Sequence, residues 1–226
     1  MTHAPYAAVV RRRCSAQGRE WLDRALQRII PPLDVAAFQT AYAGASRRIG
    51  GEPVVLEPDE VSALRSAETG TPEGQPLDEV TRAAFLLRAL ECLPPAGHAA
   101  FVDEVYRRGD SREQAALLRA LCLLPAPERF LATAVEACRT NVRAVFEAIA
   151  CGNPYPARHF PEPSFNQMVL KVLFVELPLG SVVGLGERTT AELRRMGEDY
   201  ARERRAAGRP VPSDIAILAD TRGSVG

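Results

Sequence analysis

Apolar residues along this chain recur at intervals of three and four, which is the spacing of one face of an α-helix. The clearest runs predict helices over residues 15–30 and 34–46, a short helix from Pro58 to about Ala67, and helices that begin near Phe101 and Phe130. Wherever the pattern is regular, its period is helical. The fold class predicted from the pattern is therefore all-α.

Residues 84–94 and 115–125 read as two copies of one unit, because eight of their eleven positions are identical at an offset of 31. Each copy ends at a proline and precedes a helix that begins with phenylalanine. Two helices per such period are typical of αα-hairpin arrays of the HEAT or TPR type. Chance similarity between two leucine-rich helices of an ordinary bundle is the alternative, and two copies leave it open. We predict one repeat-like domain over residues 1–220 and a disordered tail over 221–226.

The remaining segments predict more helices and the breaks between them. Gly152 is expected to end a helix, because glycine tolerates the left-handed conformation common there. Asp110 and Glu113 have the spacing of a capping box. The other predicted elements are a long helix over 127–150, a helix from about Pro163, a charged helix over 188–207, a short helix over 213–219 and a flexible loop over 69–76.

Composition excludes several functional classes. The chain is 46% hydrophobic and 25% charged, with a formal net charge of zero and a sequence pI of about 6.8. A nucleic-acid-binding protein normally carries a basic excess, so we predict no nucleic-acid partner. No apolar run is long enough to cross a bilayer, so no direct membrane insertion is expected.

The N-terminal segment and the cysteines bear on compartment and chemistry. Arginines 11–13 follow the apolar residues 6–10 instead of preceding them, which is the reverse of a secretory signal and predicts a cytoplasmic protein. The five cysteines are widely spaced and form no CxxC pair, so neither a disulfide framework nor a metal site is predicted. We expect no cofactor and assign no catalytic residue.

Lys171 is the most unusual residue, because it is the single lysine among 28 basic residues and lies on an otherwise apolar helix. A charge beside hydrocarbon is costly unless it has a partner or a ligand. Polar residues of the neighbouring segments could converge on it in a positively biased pocket for an anionic or hydroxylated small molecule. The candidate ligand-binding residues are Arg139, Asn141, Asn153, Tyr155, His159, Asn166, Gln167 and Lys171.

A purely structural interpretation of the same residues stays open. The polar groups could form a buried hydrogen-bond network that fixes the turn between two helices. Lys171 would then extend its ammonium to solvent, or pair with Glu147 or Glu176.

Four segments closely resemble the EboA-domain family. They are RTN (139–141), NPYP (153–156), NQMVLK (166–171) and DYAxER (199–204), in the family's order. The resemblance covers nearly the whole chain, weakly before residue 115 and strongly after 136. Phe165 and Arg205 depart from the pattern, because the family commonly has tryptophan at both positions.

The resemblance implies an accessory protein of bacterial secondary-metabolite clusters. Such clusters also encode a UbiA-like prenyltransferase, a TatD-like hydrolase, a dehydroquinate-synthase-like protein and a TIM-barrel protein, and they are associated with moving precursors toward the periplasm. We therefore expect a non-catalytic adaptor that binds a small prenylated or phosphorylated intermediate, or one of these enzymes. The alternative is an enzyme of unknown reaction in which His159 or Tyr155 transfers a proton and Lys171 stabilises an anion.

Overall fold

The protein is all-helical in a computed structural model that describes residues 3–66 and 71–220. This part of the chain contains no β-strand, so the predicted all-α class is confirmed. Its α-helices are α1 Ala4–Arg13, α2 Ala16–Arg28, α3 Val35–Ile49, α4 Pro58–Ser66, α5 Leu77–Glu91, α6 His98–Arg108, α7 Ser111–Ala120, α8 Leu131–Ala137, α9 Arg143–Ala150, α10 Tyr155–His159, α11 Glu162–Phe174, α12 Leu185–Arg188, α13 Ala191–Ala206 and α14 Ala216–Asp220. Short 3₁₀ turns lie at Pro95–Gly97, Leu121–Leu123, Pro127–Phe130, Leu179–Ser181 and Ser213–Ile215.

The chain divides into two compact units, Met1–Thr133 and Ala134–Gly226. The prediction of a single domain over 1–220 stays a prediction. Part of the predicted loop, residues 69–70, and the predicted disordered tail lie outside the described residues.

Helix α5 is the centre of the first unit and packs against α1, α3 and α7. Twelve of its fifteen residues are buried. A helix that is buried on nearly all sides must place its polar residues in the core as well, and Thr81 and Arg82 are both inside.

Each of the two sequence copies lies on a helix of the first unit. The first copy runs through α5 and the second through α7, and a 3₁₀ turn follows each. The phenylalanines after the copies, Phe101 and Phe130, are both buried. The HEAT or TPR type of the repeat stays a prediction.

Side-chain caps explain several helix starts. Ser15 accepts a hydrogen bond from the Gly18 amide at the start of α2, and Asp34 accepts one from Ala37 at the start of α3. The predicted capping box of Asp110 and Glu113 is present at α7. Each cap satisfies an amide that has no partner within its own helix.

The predicted long helix over 127–150 is wrong. The chain forms a 3₁₀ turn, then α8, then a loop over 138–142, and only then α9. At the end of α8 the amide of Thr140 bonds the carbonyl of Ala137, a tightened i,i+3 turn, and the Thr140 hydroxyl accepts from the Val142 amide. A threonine that bonds its own backbone competes with the helix, and here the competition ends it.

The predicted helix over 188–207 is also wrong in part. Residues 191–206 form α13 as predicted, but Arg188 is the last residue of α12, and Thr190 starts α13 by accepting a hydrogen bond from the Leu193 amide. Residues 6–10, which the sequence marked only as apolar, lie in the unpredicted helix α1. None of the helices in the described residues combines the length and the hydrophobicity that crossing a bilayer requires.

Helix α11 organises the second unit. It packs on α9 and on α13. Gly152 ends α9 with a φ of +61°, as predicted, and its amide bonds the carbonyl of Ser181. This sharp turn delivers the chain to α10 and then to α11.

Candidate functional site

A cavity of about 420 Å³ lies between the end of α8 and one face of α11 in the second unit. Its lining residues are Val135, Cys138, Arg139, Phe160, Ser164, Gln167, Met168 and Lys171. Three of the eight predicted site residues, Arg139, Gln167 and Lys171, are therefore brought together at one cavity.

The α11 wall follows from helix geometry. Ser164, Gln167, Met168 and Lys171 are spaced i, i+3, i+4 and i+7, which places them on one face of the helix. Glu162 and Pro163 favour the helix start that sets this register, since an acidic residue and a proline suit the first turn. The wall is therefore a direct consequence of the local sequence.

Lys171 is held by backbone carbonyls. Its ammonium donates hydrogen bonds to the carbonyl oxygens of Cys138 (2.7 Å) and Thr140 (2.6 Å), both just beyond the end of α8. It also lies 4.7 Å from the centroid of the Phe146 ring, a cation–π distance. These partners, not Glu147 or Glu176, hold the amine in the described part of the chain.

Within residues 3–66 and 71–220, the carbonyl bonds leave the positive charge of Lys171 without a countercharge from a carboxylate. An ammonium has three N–H donors, and the two carbonyls occupy two of them. Carbonyl dipoles at a helix C-terminus stabilise a cation without neutralising it. The cavity wall therefore keeps a net positive charge at this point.

Arg139 supplies the second cation, at the outer edge of the cavity. Its side chain is 74% exposed and pairs with Glu136 at 2.9 Å, three residues earlier. An exposed pair of this kind contributes only about 0.2–0.5 kcal/mol. Arg139 can therefore leave Glu136 for another anion at little cost.

The cysteine in the wall is not a ready nucleophile. Burial raises the pKa of the Cys138 thiol to about 12, although the Lys171 ammonium acts in the opposite direction. The thiol lies 3.5 Å from the carbonyl of Ala134 and acts as a weak donor to it. At neutral pH this group is a small, polarisable part of the wall.

Asn153, Tyr155 and His159 form a different cluster, at the turn between α9 and α10. The Asn153 amide group donates to the Ala148 carbonyl, and its oxygen accepts from the Tyr155 amide, both at 2.9 Å. The fully buried Tyr155 ring lies 4.6 Å from the His159 ring and 6.3 Å from Phe160. None of the three lines the cavity, but the cluster packs behind its wall residue Phe160.

Asn166 and Asn141 also lie outside the cavity lining. Asn141 is exposed in the loop between α8 and α9. Asn166 is 2% exposed, and its side-chain oxygen has no hydrogen-bond partner among the residues that the structure describes. Asn166 lies one turn after Glu162, whose carboxylate accepts a hydrogen bond from the Thr190 hydroxyl at the start of α13, so Asn166 lies on the side of α11 that faces this point.

A family model described as metabolite traffic protein EboA matches residues 5–219. The chain belongs to the EboA family. A comparison with curated proteins and with solved structures finds no match.

Two of the four EboA-like segments lie at connections between helices of the second unit, and the other two lie within helices. The RTN segment is the loop after α8, and NPYP joins α9 to α10. NQMVLK is the middle of α11. In DYAxER, Tyr200 donates to the Leu173 carbonyl (3.3 Å) and Arg204 to that of Pro210 (2.8 Å). Three of these segments therefore supply side chains that satisfy backbone groups of other segments.

Phe165 is the one departure from the EboA pattern that lies inside the protein. Its ring is fully buried, and the guanidinium of Arg188 lies 4.6 Å from the ring centroid. Arg188 also donates to the Phe160 carbonyl at 2.7 Å. Phe165 therefore supports the arginine that fixes the backbone beside the cavity.

Sequence reasoning missed five of the lining residues: Val135, Cys138, Phe160, Ser164 and Met168. The helical spacing from Gln167 and Lys171 was a sufficient signal for Ser164 and Met168. No local signal identified Phe160, because its place depends on the turn after α10.

Proposed function

We propose that this EboA-family chain is a non-catalytic accessory protein that holds a small metabolite in the α8–α11 cavity during its transfer between other proteins. The observation that carries the proposal is the convergence of Arg139, Gln167 and Lys171 on one cavity of about 420 Å³. That volume is within the range of small-molecule sites. The family's description as a metabolite traffic protein supports the same role.

The composition of the cavity favours holding a ligand over transforming it. General acid–base catalysis needs a titratable group within hydrogen-bond reach of the substrate. The eight described lining residues include no carboxylate and no imidazole, and the pKa of the Cys138 thiol is about 12. His159 and Tyr155, the residues of the enzyme alternative, are engaged with each other behind the wall.

The enzymes that accompany EboA-type proteins are the proposed partners. A UbiA-like prenyltransferase or a TatD-like hydrolase would deliver the metabolite or receive it. In this proposal the accessory protein limits the time that the intermediate spends free in solution.

The test is native mass spectrometry of the protein purified from its host under non-denaturing conditions. A bound small molecule is expected in the wild type and absent from Gln167→Trp, whose larger side chain fills the mouth of the cavity. Gln17→Trp, on the exposed face of α2, is the matched control and should retain the molecule. Retention by Gln167→Trp would contradict a site in this cavity, and turnover of a cluster intermediate that Lys171→Ala abolishes would contradict a non-catalytic role.

A further inference from the structure

The α8–α11 cavity has an apolar floor. Met168 and Phe160 are 1% and 4% exposed, so their side chains lie at its buried end. The Arg188 bond to the Phe160 carbonyl fixes the backbone there. A polar group placed on this floor would lose its hydrogen bonds to water and gain none from these two side chains. The inner end of a ligand must therefore be hydrocarbon.

The rim of the same cavity is polar and cationic. The exposed side chains of Arg139 and Gln167 lie at the outer edge, and Lys171 is half-buried between rim and floor. A guanidinium binds a carboxylate or a phosphate through two parallel hydrogen bonds. Glu136, the carboxylate nearest to Arg139, is held only by an exposed pair, so an incoming acid can replace it.

These two ends fix both the class of the ligand and its orientation. We infer that the metabolite is an amphiphile with one acidic group, bound with its hydrocarbon on Met168 and Phe160 and with its acid beside Arg139. This inference rests on the proposed function, because it names the occupant of the same cavity. Lys171 contributes its positive charge from the wall, while its two carbonyl bonds keep the ammonium in place.

Two matched series of probes test the inference by calorimetric titration. The first is acetate, butanoate, hexanoate and octanoate, and the second is the corresponding primary alcohols. Each added methylene of the acids should tighten binding about fourfold until the cavity is full. Each alcohol should bind at least about tenfold more weakly than the acid of equal length. Inorganic phosphate, which has no hydrocarbon, should bind more weakly than octanoate.

Substitutions test which residues contact the acidic end and the hydrocarbon end of the ligand. Arg139→Gln should weaken octanoate about tenfold and leave octanol unchanged, since only the acid meets the guanidinium. Arg205→Gln, an exposed arginine of α13, is the control and should change neither. Met168→Ala lengthens the floor, so the chain length at which affinity stops rising should increase. Circular dichroism before and after heating checks that each variant is folded.

The outcomes separate this inference from the proposed function. If alcohols bind as tightly as acids and Gln167→Trp removes both, the acidic group is wrong and the cavity remains a ligand site. If phosphate binds as tightly as octanoate, the apolar floor has no role and the inference is overturned. Failure of every probe also overturns it, and the co-purification experiment then decides the proposed function independently.

Discussion

Arg82 in α5 and Lys171 in α11 are two cations held inside helical units by different partners. Arg82 is 2% exposed and bonds the carboxylate of Asp78 at 2.6 Å, one turn earlier on its own helix. Its guanidinium also lies 5.7 Å from the centroid of the Tyr42 ring. Lys171 bonds two backbone carbonyls from another segment and lies against a ring as well.

The difference distinguishes a charge that is neutralised within the fold from a charge that can still attract an anion. A carboxylate neutralises Arg82, so the pair presents little field to its surroundings. Carbonyl dipoles hold Lys171 without neutralising it, and its side chain lines a cavity. Lys171 is half-buried beside a cavity and has no carboxylate partner among the described residues, so it is the better candidate for an anion site.

The largest expected effect is at Arg82. Replacing Arg82 with alanine leaves the Asp78 carboxylate buried without its partner, so we expect the free energy of unfolding to fall by about 3–5 kcal/mol. The single tryptophan, Trp21, packs edge-on against Phe85 of α5 in the same unit. Its fluorescence during denaturation with urea therefore reports the stability of this unit.

The double variant Arg82→Met with Asp78→Leu is the control for charge. It removes both members of the pair, so it should lose far less stability than Arg82→Ala. Equal losses would mean that packing, not an uncompensated charge, is what Arg82 provides, and the contrast with Lys171 would fail.

Lys171→Met should have a smaller effect, concentrated in the second unit. The substitution removes two hydrogen bonds to carbonyls at the end of α8, for a loss of about 1–3 kcal/mol. Amide hydrogen exchange should accelerate in the loop over 138–142 and at the end of α8. Lys171→Arg keeps a cationic donor and should preserve much of the protection, whereas unchanged exchange in Lys171→Met would show that the carbonyl bonds do not fix the loop.

Glu79 should make the free energy of unfolding of the first unit depend on pH. Burial raises the pKa of its carboxyl, and the neighbouring Arg119 opposes the shift. A carboxyl whose pKa is raised in the folded state binds its proton more tightly there than in the unfolded chain. Its contribution to the free energy of unfolding therefore becomes more favourable as pH falls through the folded pKa toward 4.5, and less favourable as pH rises. Relative to Glu79→Gln, the wild type should lose stability as pH increases above 4.5, and parallel curves would contradict this.

Arg139→Gln should have the smallest effect on folding. Its pair with Glu136 is exposed, so the change in unfolding free energy should be within about 0.5 kcal/mol. The thermal midpoint of the unliganded protein should therefore be nearly that of the wild type. A large loss of stability would make Arg139 a structural residue and would weaken its assignment to the rim.

Periodicity predicted most helices, and two of its errors have one cause. The predicted helices over 127–150 and 188–207 both break where threonine oxygens bond backbone amides, at Thr140 and Thr190. The low helix propensity of these residues was visible in the sequence. The partner that stabilises the first break was not, because Lys171 is 31 residues away from Thr140.

The site was predictable to the extent that it depends on a single helix. Gln167 and Lys171 share a face of α11, and that face does line the cavity. Asn153 lies outside the cavity for a physical reason: a short polar side chain in a turn between two helices bonds their free backbone groups first. Which apolar side chains form the floor could be identified only from the three-dimensional structure.

The loop after α8 and the end of α11 restrain one another. Lys171 of α11 holds the carbonyls of Cys138 and Thr140, while Arg143, just after that loop, donates to the Val175 carbonyl at 2.7 Å. A ligand that pulled the ammonium away from these carbonyls would break both hydrogen bonds and free the loop. Re-formation of the two hydrogen bonds would then favour dissociation of that ligand, because the bound ligand and the restrained loop would exclude each other.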